Sequence, residues 1–157
     1  LYTLYLKMWS IGRGAVLCNS PHQPVAMGMR KFFLMGRKII GVGSNYACHV
    51  KEMGGEIPKE PVFFLKPTSS YLLEPNPILL PGGHRVEHEM ELGVVIGNGG
   101  ANISINDAAQ QIAGVCLTLD LTARDVQAEA KAKGLPWTIA KGYDTFCPIS
   151  AYLPRAG

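Results

Sequence analysis

The sequence predicts a β-rich α+β fold, and three observations carry that prediction. Short apolar runs recur, among them RKIIGVG (37–43), MELGVVIG (90–97) and VCLTLDLT (115–122), and runs of this length suit buried strands. Residues 85–91, RVEHEME, alternate at the period of a strand. Segments with helical spacing are few and brief, so strands dominate. At 157 residues, 47% hydrophobic and 17% charged, the chain has the size of one ordinary domain and the apolar content of a globular core.

Along the chain, residues 1–29 read as a leader or disordered tail and 30–157 as the folded body. From Leu1 to Lys51 there are seven Lys or Arg and no acid, whereas after it the remaining eight bases face all twelve acids. An acid-poor, Arg-containing start resembles a mitochondrial transit peptide, with a poorly ordered tail as the alternative. The acidic body argues against a nucleic-acid-binding surface. No apolar run reaches the roughly 18–20 residues that a membrane-spanning helix needs. The four cysteines lack CxxC spacing, which favours reduced thiols, and Cys116 reads as a small hydrophobe in an apolar run.

RKIIGVG is the first predicted strand of the body. It opens into NYACHVKEMGG, where a helical turn sets His49 and Glu52 on one face and Gly54-Gly55 stops it. PVFFLKP (61–67) is a second strand closed by proline, and the proline-rich SSYLLEPNPILLPGG reads as irregular loop. A third strand ends with MELGVVIG before the Asn-Gly-Gly turn, and NDAAQQIAG suggests a short helix. VCLTLDLT is a fourth strand. Thr122 with Asp125 resembles an N-cap for a helix through RDVQAEAKAK, which Gly134 terminates. The stretch GLPWTIAKGYDTFCPISAYLP reads as strand and loop.

The chemistry concentrates on the third strand. Glu87, Glu89 and Glu91 share one of its faces, and their like charges repel unless water or a cation intervenes. A solvated edge accounts for Glu87. For Glu89 and Glu91 it is less satisfactory, because Leu92 to Ile96 demand burial just beyond, and buried carboxylates need partners or a metal. Asp120, at the end of an apolar strand, offers a third oxygen donor. Such a set suits Mg²⁺, Mn²⁺ or Ca²⁺ rather than zinc. His49 and Glu52 form a candidate base dyad, or a surface helix pair. Arg124 and Gln127 lie one helical turn apart and could meet a substrate carboxylate, or face solvent. Lys141, in the apolar run WTIAKGY, could steady an oxyanion or snorkel outward.

Taken in order, GVGSNYACHVKEM, EPVFFLKPTSSY, HEMELGVVIG, LTLDLTARDVQ and KGLPWTIAKGYDTFCPIS resemble the fumarylacetoacetate hydrolase family across residues 37–152. The phrase AKGLPWTIAK is most similar to the small eukaryotic acylpyruvases and oxaloacetate decarboxylases of that family. The resemblance implies a mixed β-sandwich roll, of which 30–157 would be the N-terminal part. It implies Glu89, Glu91 and Asp120 as ligands to Mg²⁺ or Mn²⁺. It implies His49 and Glu52 as a dyad on a lid helix, Arg124 and Gln127 as substrate contacts, and Lys141 as a catalytic group. The expected substrates are small α-keto acids, either acylpyruvates split to pyruvate and a carboxylic acid, or oxaloacetate. The expected setting is mitochondrial or cytosolic, and the expected full-length state is a homodimer. Family members continue beyond the point matching Gly157, into a Gly-Thr-Pro loop, so the chain reads as a fragment. The alternatives are a truncated, non-catalytic metal-binding or dimerising relative, and a fumarylacetoacetase or isomerase of aromatic catabolism.

Overall fold

A computed structural model describes residues 2–6, 32–52, 54 and 56–155. Its centre is a mixed sheet of eight strands among the described residues. These are β1 (Tyr2–Leu6), β2 (Lys38–Gly43), β3 (Val62–Lys66), β4 (Tyr71–Leu73), β5 (Val86–Ile96), β6 (Ile112–Ala123), β7 (Cys147–Ile149) and β8 (Leu153–Pro154). The spatial order is β3-β2-β1-β5-β6-β7-β4, with β8 paired to β6. The pairs β1–β2 and β4–β7 are parallel and the others antiparallel. Among the described residues, five short α-helices accompany the sheet: α1 (Phe32–Met35), α2 (Ala47–Glu52), α3 (Ile105–Ala108), α4 (Arg124–Ala132) and α5 (Thr138–Lys141). This is the β-rich α+β architecture expected from the sequence.

The long β5–β6 ladder organises the molecule. It joins eleven and twelve residues in antiparallel register, because both sequences alternate and both end in apolar residues that the core can bury. Phe32, Ile39, Val95, Cys116, Cys147, Ile149 and Tyr152 form one buried cluster, while Leu121, Ala123 and Phe146 form another. Cys116 behaves as the small hydrophobe expected: burial pushes its thiol up to about 12.

Four local expectations differ from what is observed. Tyr2–Leu6, within the segment assigned to a leader, forms β1 between β2 and β5; residues 7–31 lie outside the described residues. Tyr71–Leu73, read as loop, pairs with β7, a partner over seventy residues away in the chain that local signals cannot reveal. The stretch read as strand and loop contains α5. Finally, α4 starts at N-cap Ala123 without a side-chain cap, and Thr122 belongs to β6 instead. The start of α4 is pinned by main chain: Arg124 N–H donates to the Arg85 carbonyl at 2.8 Å. Asp125 accepts from the Arg85 N–H at 3.2 Å.

Candidate metal centre and its cationic rim

The register of β5 on β6 sets Glu87 opposite Thr122, Glu89 opposite Asp120 and Glu91 opposite Thr118. Because side chains alternate along both strands, all six share one face. The reverse face carries Met90, which is exposed. Burial deepens along β5: the Glu87 side chain is 43% exposed and Glu89 16%, while Glu91 is buried, as is Asp120. Each of Glu89, Glu91 and Asp120 brings a carboxylate oxygen into one cluster whose members lie within 4.8 Å of one another. Three carboxylates this close, two of them buried, repel strongly in a low-dielectric setting unless cations offset them.

Three basic side chains supply that offset. The Lys141 ammonium, buried at the end of α5, lies 2.5 Å from Asp120 Oδ2 and 3.4 Å from Glu89 Oε2. It also donates to Thr122 Oγ1 at 2.6 Å and sits 4.7 Å from the Phe64 ring centroid. Arg124 spreads its guanidinium over the upper rim. Its Nε donates to Glu87 Oε2 at 2.7 Å, Nη2 to Glu89 Oε1 at 3.0 Å and Nη1 to Gln127 Oε1 at 3.0 Å. Burial disfavours the Arg124 charge, but the two glutamates outweigh it and raise its pKa. The Arg124 hydrogen bond in turn holds the Glu87 carboxyl below the ordinary glutamate value.

The third cation, Lys66, has a side chain closed to solvent at the end of β3. Its ammonium donates to the carbonyls of Leu121, Lys141 and Phe146 at 3.0, 2.8 and 2.8 Å, and it stands 2.8 Å from Asp120 Oδ1. Those carbonyls claim its three N–H groups, so the Asp120 contact is one of charge, and Oδ1 is a buried oxygen with no hydrogen bond. Burial lowers the Lys66 pKa, and the Asp120 charge opposes that effect.

The structure therefore brings together six of the eight residues singled out from the sequence: Glu89, Glu91, Asp120, Arg124, Gln127 and Lys141. His49 and Glu52 lie on α2, directly after β2, and their side chains are outside the described residues. Sequence reasoning missed two groups. Glu87, which a solvated edge accounts for in the sequence, accepts the shortest hydrogen bond from Arg124. Lys66, inside VFFLKP, carries the same sequence signal as Lys141, a charge in an apolar run. The all-oxygen set, with two of its three carboxylates buried, fits a hard divalent cation.

Residues 38–156 match the family described as Fumarylacetoacetate (FAA) hydrolase C-terminal. The chain is 57% identical over 129 residues to a mitochondrial oxaloacetate decarboxylase from Dictyostelium discoideum, covering 81% of this chain and 59% of that protein. It is 51% identical over 129 residues to a mitochondrial oxaloacetate tautomerase from Arabidopsis thaliana, covering 82% of this chain and 58% of the relative. The chain thus spans less than two thirds of the length of these relatives. Among solved structures, it is similar to fumarylpyruvate hydrolase from Pseudomonas aeruginosa in complex with Mn²⁺ and pyruvate. That match has 35% identity and a TM-score of 0.70 over 75% of this chain and 53% of the other.

Proposed function

This chain belongs to the fumarylacetoacetate hydrolase family, and from that premise we propose that it contributes the metal and substrate site of an enzyme acting on small α-keto acids. The reactions proposed are decarboxylation or tautomerisation of oxaloacetate and hydrolytic C–C cleavage of acylpyruvates. The observation that carries this reading is the convergence of Glu89, Glu91 and Asp120 beneath Arg124 and Lys141. Such a site can neutralise an α-keto acid and its enolate together. The relatives named for oxaloacetate, and the solved relative that holds Mn²⁺ and pyruvate, support the same choice of substrate class.

In this proposal Glu89, Glu91 and Asp120 hold Mg²⁺ or Mn²⁺. The ion, when bound, supplies Lewis-acid polarisation of the α-keto carboxylate and stabilises enolate charge. Arg124 offers guanidinium donors to the substrate carboxylate, kept in place by Glu87 and Gln127. Lys141 is aimed at the same cluster and donates a hydrogen bond where enolate oxygen charge develops. The walls around Lys141, built from Phe64 and buried Thr122, exclude water from that oxygen. His49, oriented by Glu52, is assigned the proton transfers. With an acylpyruvate it takes a proton from water as the oxygen adds to the distal carbonyl; the C–C bond then breaks, and the electron pair leaves on the pyruvate enolate, which is later protonated. With oxaloacetate the carboxylate departs as CO₂ and leaves the same enolate. Tautomerisation needs only the proton shift between carbon and enol oxygen.

A mitochondrial setting and a homodimer of the full-length protein belong to the same proposal. The names of the relatives support the first. Loss of oxaloacetate, followed by its ultraviolet absorbance with pyruvate assayed separately, tests the reading. Asp120→Asn is expected to lower the Mn²⁺-dependent rate by at least about a hundredfold. Full activity in that variant would remove Asp120 from the centre.

A further inference from the structure

Lys66 has no part in the reaction described above, yet it is the most completely enclosed charge near the site. An ammonium has three N–H groups, and those of Lys66 bond three carbonyls from three separate segments: Leu121 on β6, Lys141 on α5 and Phe146 just before β7. Two of those segments carry site residues, since Leu121 follows Asp120 and Lys141 is itself a rim cation. The same nitrogen faces Asp120 Oδ1 at 2.8 Å, while Asp120 Oδ2 contacts Lys141, which also lies 3.4 Å from Glu89 Oε2. A surface-type role for Lys66 is incompatible with a side chain that is 0% exposed. A purely stabilising role does not account for a charge placed there, because an apolar side chain avoids the desolvation cost.

We propose that Lys66 is a positioning residue for the metal centre. It fixes the Asp120 carboxylate by one oxygen and locks the backbones of Asp120–Leu121 and Lys141 to β3, so that this carboxylate meets Glu89 and Glu91 in fixed geometry. The inference rests on the metal reading of the three carboxylates. Because Lys66 is itself positive, charge alone makes the opposite forecast: deleting a cation beside the centre tightens a divalent ion. Positioning makes deletion weaken it.

The test is direct Mn²⁺ binding, read by electron paramagnetic resonance on the whole chain, for wild type, Lys66→Met, Lys66→Arg, Asp120→Asn and the corresponding double variants. Thermal melting is recorded in parallel. Positioning predicts a roughly 10- to 100-fold loss of Mn²⁺ affinity in both Lys66 variants, as for other groups that orient metal ligands. The Arg variant loses affinity because a planar guanidinium cannot serve three carbonyls and Asp120 from one nitrogen. On the Asp120→Asn background the Lys66 changes add little further loss, since they act through that carboxylate. Lys66→Arg keeps the charge and is read alone if Lys66→Met does not melt cooperatively. Unchanged affinity with a lowered Tm, or tighter binding in Lys66→Met, overturns the proposal while leaving the metal site standing. Absence of Mn²⁺ binding in folded wild type overturns both.

Discussion

Lys141 and Asp120 show how residue-scale charge sets two different outcomes. In the proposed centre Asp120 is an oxygen donor, so its loss is expected to remove metal affinity; Lys141 is a cation beside the same carboxylate, so its loss is expected not to. Lys141→Met is therefore expected to keep or raise Mn²⁺ affinity while turnover falls roughly 10²–10³-fold, the scale of a lost oxyanion donor. Calorimetry and rate measurement on one preparation check the split, and parallel loss of both would make Lys141 a structural residue only. Cys116 is the other residue with a clear expectation. Its thiol is held up to about 12 against an ordinary 9.0 by burial. The folded state thus keeps a proton that the unfolded chain releases, and stability falls as pH rises above 9.0. Peptide mapping after iodoacetamide is expected to find Cys116 unmodified in the native protein and modified after unfolding. Native alkylation at the unfolded rate would contradict its burial.

At the scale of elements, the site depends on the register of β5 and β6. Gly114 illustrates the constraint. A Cβ there would stand 2.2 Å from the Leu153 carbonyl oxygen and 2.5 Å from the Tyr152 ring, so β8 can close against β6 only over a glycine. Gly114→Ala is expected to cost on the order of 1–3 kcal/mol, a Tm drop of roughly 2–12 °C in a domain of this size. An unchanged melting curve would show that β8 contributes little. The two long strands were legible from sequence because Glu87, Glu89 and Glu91 alternate and a long apolar run follows. β4 was not, because three residues between prolines acquire their strand character from β7 across the fold. The turn at Thr138–Lys141 was missed for a related reason: four residues are too few for a helical period to register.

At the scale of the molecule, a mixed sheet brings residues from β3, β5, β6, α4 and α5 to one place, and charge balance explains why the place persists. Three buried or half-buried carboxylates are offset by Lys66, Lys141 and Arg124. Spacing alone paired Glu89 with Glu91. The apolar strand end suggested Asp120 and the apolar run WTIAKGY suggested Lys141, the family resemblance implied their roles, and the observed register gives the physical reason by setting Asp120 opposite Glu89. Lys66 carries the same sequence signal as Lys141, a charge in an apolar run, but its contacts are to main-chain carbonyls, which no side-chain motif records. The measurement that bears most directly on the whole account is calorimetric titration of Mn²⁺ into the chain, with and without oxalate as a mimic of the pyruvate enolate. Saturable one-site binding that oxalate strengthens, and that Glu89→Ala abolishes, is the expected result. Equal binding in wild type and Glu89→Ala, on samples that circular dichroism shows to be folded, would contradict it.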